Sequence, residues 1–196
     1  MTVEGYFHTR NLKRYVLRLL LFALLSEVPF DLMYGGTWFY PVHQNVIWTL
    51  LLGLLGIRLM EAARAKGKRW LYVLTCAAVV VLGFALGTLG MVDYYGAGVL
   101  TVFAFYFFRE RKWWCLLGQL AALYWLNVVV LGGQMYPVTL FGREIELCEQ
   151  GLALLALVPI WLYRGRQGHH SKAFQYACYA FYPAHMLVLA LLTMIQ

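Results

Sequence analysis

WLYVLTCAAVVVLGFALGTLGMV, residues 70–92, is the stretch that decides the fold. It runs for 23 residues without a charged side chain. About 20 predominantly apolar residues suffice for a helix to cross the roughly 30 Å hydrocarbon core of a bilayer. Lys66, Lys68 and Arg69 stand just before it and Asp93 just after. Basic residues at the end of a span mark the cytoplasmic side. The stretch therefore predicts a transmembrane helix that enters from the cytoplasm and leaves at the outer face.

Working outward, six more apolar runs appear, at about 15–33, 44–60, 94–108, 113–131, 151–163 and 174–195. The fourth and sixth runs of the seven are short. They are either spans extended by their flanks or half-buried segments within a bundle, and charge favours spans. With the N-terminus inside, the cytoplasmic segments hold 15 of the 16 Lys and Arg residues, leaving only Arg143 outside. That partition alternates at every loop, and losing either short span would put a basic loop on the wrong side. The expected fold is an all-α transmembrane bundle of about seven spans, N-terminus inside and C-terminus outside. The expected location is the bacterial cytoplasmic membrane, with residues 1–196 forming one domain.

Composition excludes other classes. Hydrophobic residues make up 62% and charged residues 13%, against about 45–50% and 25% in soluble domains. A disordered chain, a collagen, a coiled coil and an ordinary water-soluble enzyme are all ruled out. The net charge of +7 follows from topology and from attraction to anionic lipid headgroups, so membrane lipid is the expected partner and nucleic acid is not. Cys76, Cys115, Cys148 and Cys178 are scattered singly and read as small core residues, with no metal expected. No phosphate-binding loop, dinucleotide fingerprint, zinc-protease motif or nucleophile elbow occurs. Residues 1–14 are polar and mixed. The segment 132–149, with Glu144, Glu146 and Glu149, is the longest non-basic external connection. Residues 34–41 (YGGTWFYP) form an aromatic external segment, either an interfacial belt or a substrate mouth.

Ionisable groups inside spans are costly and are functional candidates. Glu27 and Asp31 stand four apart and share a helix face, with Pro29 loosening the ladder between them. They could orient a histidine, bind a cation or accept a proton; equally, they could bond the adjacent loop or cap the next helix. Asp93, between two runs, reads as a helix cap. His185 follows Pro183 in the last span, where the ring would free a carbonyl around Tyr179 for the imidazole. His43 reads as interfacial and idle, His169 and His170 as solvated, and His8 as part of a polar cytoplasmic cluster. Arg10, Lys13, Arg14 and Arg18 recur at helical spacing, with Arg18 more than a turn inside the apolar run. They either snorkel to headgroups or form an anion site suited to phosphates.

Several stretches together resemble the TraX family of membrane proteins, related to the conjugative F-pilin acetylase. They are residues 4–11 (EGYFHTRN), 18–32 (RLLLFALLSEVPFDL), 44–46 (QNV) with 49–54 (TLLLGL), 93–96 (DYYG) and 181–185 (FYPAH). The family is distantly similar to the acyltransferase-three class of integral-membrane enzymes. The resemblance implies transfer of an acetyl group from acetyl-CoA to an amine or hydroxyl acceptor, a pilin-like peptide or a glycan. Arg10, Lys13, Arg14 and Arg18 would hold the cofactor's phosphates. His185, oriented by Glu27 or Asp31, would take the acceptor's proton. It also implies a further span carrying an Asp-His pair before the present Met1, with part of the second. The alternatives are a transporter or permease using the same intramembrane charges, and a non-catalytic membrane assembly protein.

Overall fold

The structure is a computed structural model, which describes residues 2–140, 143–163 and 171–193. The helices are α1 (Thr2–His8), α2 (Leu12–Gly35), α3 (Val46–Ala65), α4 (Arg69–Leu89), α5 (Tyr95–Phe107), α6 (Trp113–Tyr124), α7 (Leu157–Leu162) and α8 (Lys172–Thr193). A wider π-helical turn, Trp125–Leu131, continues α6, and a 3-10 segment, Glu149–Ala156, leads into α7. Two strands, β1 (Met135–Leu140) and β2 (Arg143–Cys148), complete the described elements.

Over the described residues, all seven apolar runs fold mainly as helix. The segments 46–65, 69–89, 113–131 and 176–193 are long and apolar enough to cross a membrane. With 24 residues, α2 spans about 36 Å, but it carries Arg18, Glu27 and Asp31. With 13 residues, α5 reaches only about 20 Å. It is the centre of the bundle, packed against α3 and α4 and touched by α1 and α6.

Helix ends follow local chemistry. The Asn11 side chain accepts from the Arg14 N–H at 3.0 Å, and that of Asn45 accepts from the Ile47 N–H at 3.0 Å. Each satisfies a donor that the first turn leaves open. Gly36, at φ 64°, lets the chain leave α2 in the left-handed region.

Lipid is as apolar as leucine, so helix association in a membrane depends on close packing at small residues. The core shows this directly. Phe103 of α5 is 2% exposed and fits a notch made by Gly56 of α3 and Gly83 of α4. A Cβ at Gly56 would stand 2.5 Å from the Phe103 ring, and one at Gly83 would stand 2.7 Å from it. Higher up, a Cβ at Gly87 would stand 2.9 Å from the Gly96 Cα. Ile57, Met60, Val79 and Val99 close around the ring.

Two elements were not anticipated, and one expectation, the cap at Asp93, is corrected. Residues 2–8 fold as α1, because Val3 enters the core and Glu4 binds Arg109 through two oxygens at 2.7 and 3.1 Å. The connection 132–149 contains an antiparallel hairpin in which Met135 pairs with Cys148 and Leu140 with Arg143. The alternation of Glu144 and Glu146 with Ile145 and Leu147 suits a strand with one apolar face. Asp93 does not cap α5: the N-cap is Tyr94, with φ 60° and no side-chain cap bond. His169 and His170, with Arg164 and Arg166, lie outside the described residues.

Two predictions follow. Gly56→Ala should lower stability by about 1–3 kcal/mol through overpacking. Combining it with Phe103→Leu should cost less than the sum of the two changes, because they share one notch; thermal unfolding in micelles measures both. A topology reporter in the turn around Lys66 should read cytoplasmic, and one in the hairpin external. The reverse at either point would break the charge-based orientation.

Candidate functional site

The N-terminal part of α2 builds an open basic cavity of about 510 Å³. Thr9, Arg10, Asn11, Arg14, Leu17 and Arg18 line it. The Asn11 cap fixes the helix start, so Arg14 and Arg18, one turn apart, face the same space. Three of the four basic residues expected at an anion site are thus brought together. Lys13 is not among the lining residues.

A second cavity, of about 180 Å³, lies between α2, α3 and α8. Its walls include Tyr15, Leu19 and Phe22 of α2, Val46, Ile47 and Leu50 of α3, and Cys178 and Tyr182 of α8. Arg18 lines this cavity as well as the first. The groove is apolar apart from Arg18, the tyrosine hydroxyls and the Cys178 thiol. The cysteines are free thiols; Cys115 is buried, while Cys178, expected in the core, is exposed.

His185 sits one turn beyond Tyr182, and their rings meet edge to face at 5.3 Å. Its Nδ1 lies 2.9 Å from the Phe181 carbonyl. This partner lies one turn before His185, in place of the carbonyl around Tyr179 that Pro183 was expected to supply. A carbonyl only accepts, so Nδ1 carries the hydrogen and the neutral ring keeps its lone pair on Nε2.

The two carboxylates of α2 share a face but are committed elsewhere. Glu27 Oε2 accepts from Asn45 Nδ2 and, at 2.9 Å, from Trp48 Nε1. Asn45 also donates to the Ala23 carbonyl at 2.8 Å. Asp31 Oδ2 accepts from the Tyr40 N–H at 3.0 Å. Glu27 thus ties α2 to the start of α3, and Asp31 fixes the aromatic loop. Among the described residues neither bonds His185.

One pairing was not anticipated. His43, expected to be idle, is 8% exposed and stacks on Tyr34 at 4.7 Å and Phe30 at 5.7 Å. Its Nε2 lies 3.4 Å from Asp93 Oδ1. Thr49 Oγ1 donates to the Asp93 carbonyl at 2.8 Å, and the Gln44 N–H donates to the Met91 carbonyl at 2.9 Å. Burial pushes the Asp93 carboxyl above the usual carboxylate range, and His43 opposes that shift. The sequence signal was faint: two loop residues 50 positions apart, neither in a motif. At the start of the chain, Arg109 lies 3.9 Å over the Phe7 ring and holds the Glu4 carboxyl below its ordinary value.

A bundle of apolar helices, four of them long and apolar enough to cross a membrane, defines a polytopic membrane protein, and Arg18 lines both its basic cavity and its apolar groove. Residues 1–193 match the family model described as TraX protein, so the chain belongs to the TraX family. A similar relative is "Probable fimbrial assembly protein FimC, serogroup H1" of Dichelobacter nodosus. It is 27% identical over 197 residues, which cover 95% of this chain and 74% of that protein. No solved structure matches the chain.

The pairing carries a pH prediction. A carboxyl whose folded pKa is raised favours the folded state below its unfolded value. That contribution is lost as pH rises through the raised value. Asp93→Asn should therefore flatten the fall in stability on the alkaline side of the ordinary carboxylate range. His43→Phe removes the opposing influence and should steepen it. Unfolding in micelles across that pH range, compared with the parent, checks both.

Proposed function

We propose that this TraX-family protein is a membrane-bound acyltransferase of the bacterial cytoplasmic membrane that moves an acetyl group from acetyl-CoA to an amine or hydroxyl acceptor. One observation carries the reading: Arg18 lines both the basic cavity and the apolar groove, and the groove ends at Tyr182, in ring contact with His185. An acyl thioester of CoA has that order of parts: anionic phosphates, an extended arm and a small acyl end. Arg10, Arg14 and Arg18 present planar donors to the phosphates, with Lys13 adding charge nearby.

The chemistry assigned to the far end is general-base catalysis. The acceptor's nitrogen or oxygen attacks the thioester carbon, the C–S bond breaks, and CoA leaves as its thiol. His185 Nε2 takes the acceptor's proton and returns it to the departing sulfur. Glu27 and Asp31 act as positioning groups: one fixes the start of α3 and the other the aromatic loop above. The acceptor approaches from the side of the hairpin that carries Glu144 and Glu146. A pilin-like peptide is the acceptor favoured by the relative named for fimbrial assembly. That name also supports a second reading, an assembly protein that binds a fimbrial subunit without turnover.

His185→Gln should leave the protein folded in the membrane while cutting acetyl transfer by at least about a hundredfold. Arg14→Ala should weaken CoA binding by about tenfold or more, since a charge-assisted bond is worth about 1.5–3 kcal/mol. Transfer within a few-fold of the parent in His185→Gln would remove the histidine from the mechanism. Thioester turnover in membranes separates the enzyme from the assembly protein.

A further inference from the structure

We infer that Ser26 and Tyr182 form the carbonyl-binding end of the groove, donating two hydrogen bonds to the oxygen of a bound acyl thioester. The inference rests on the acyltransferase reading and names the part of the protein that would stabilise its transition state.

On α2, Tyr15, Leu19 and Phe22 line the groove. Ser26 lies one turn beyond Phe22, so it continues the same face at three- and four-residue spacing. It is fully buried, and its hydroxyl has no hydrogen-bond partner among the described residues. A serine inside a helix usually bonds the carbonyl one turn back, but Ser26 does not. Opposite, on α8, the Tyr182 hydroxyl is also buried without an acceptor. The Val46 N–H at the start of α3 points to the Tyr182 oxygen as a donor, so the hydroxyl's own hydrogen stays available to donate. A buried orphan polar group is rare in a folded protein and calls for a specific reason. Here one orphan hydroxyl lies on the groove wall of α8, and the other lies on α2, the helix packed against it, one turn beyond the last groove-lining residue of that helix.

The groove lining is apolar apart from Arg18, the tyrosine hydroxyls and the Cys178 thiol, and Arg18 also lines the basic cavity. The occupant must therefore be anionic at one end, extended in the middle, and an acceptor without charge at the other. From Arg18 to Ser26 the helix rises about 12 Å, so an arm must separate the phosphates from the acceptor atom. An acyl thioester meets all three demands. As the acceptor attacks, the carbonyl oxygen gains negative charge, and fixed donors in a dry site stabilise that charge most strongly. His185, in ring contact with Tyr182, stands beside the carbon under attack.

The test uses the whole protein in its membrane, acetyl-CoA labelled with ¹³C at the carbonyl, and CoA itself as the probe without an acyl group. In the parent, the bound carbonyl should stretch at a lower frequency than the free thioester. In Ser26→Ala and in Tyr182→Phe it should move back toward the free value, with CoA affinity within about twofold of the parent. Turnover should fall about 10²–10³-fold per lost donor, mainly in kcat. Ser26→Ala adds no bulk and Tyr182→Phe keeps the ring, so either folded variant suffices. An unshifted carbonyl in the parent, or a shift retained in the variants, overturns this assignment while CoA binding stands. Failure of the parent to bind CoA overturns the acyltransferase reading together with it.

Discussion

Everything else in the bundle is arranged around the seating of one ring, Phe103, between two glycines on different helices. In a membrane, burying a phenyl group gains little over leaving it in lipid. What holds α3, α4 and α5 together is contact at distances that only absent side chains permit. Gly56 and Gly83 supply that absence, and the backbone approach of Gly87 to Gly96 repeats it one turn further along α4. With these three helices locked, α3 becomes a fixed floor, and the position of its N-terminus becomes a boundary condition for the rest.

On that floor α2 is fastened by polar bonds rather than by shape. Asn45 serves three partners at once: the Ala23 carbonyl, the Glu27 carboxylate and the Ile47 N–H. Trp48 adds a second donor to Glu27. A carboxylate inside a membrane is costly unless bonded in this way, so the bonds specify one rotation of α2 about its axis. That rotation turns Tyr15, Arg18, Phe22 and Ser26 toward α8. In turn, α8 packs chiefly on α2, so the geometry of the groove is inherited from a short polar knot at the other side of the helix.

Much of this was legible in the sequence and some was not, for reasons that differ by element. Helix positions were legible because uninterrupted apolar runs of span length have few other folds; the run at 113–131 matches its helical segment end to end. The basic cluster was legible because Arg14 and Arg18 are one turn apart on the same helix. Hydrophobicity gave no hint of α1, whose stability comes from tertiary contacts of Val3, Glu4 and Phe7. The hairpin was hidden by its polar face. His43 and Asp93 are joined only when two loops meet at one end of the bundle, and single-sequence periodicity carries no information about such a meeting. The carboxylates of α2 were found as a pair, but their partners, Asn45, Trp48 and the Tyr40 N–H, come from elsewhere in the chain.

The double membership of Arg18 has a consequence for genetics. A side chain that walls both the basic cavity and the apolar groove cannot be changed without disturbing two compartments at once. On the proposed function, substitutions there would produce mixed phenotypes, in which recognition and throughput fail together and no suppressor in a single compartment restores both. Arg10 and Arg14 wall only the first compartment, and Phe22 and Leu50 only the second. A screen that compares those positions can separate the two compartments; one centred on the most conspicuous residue cannot.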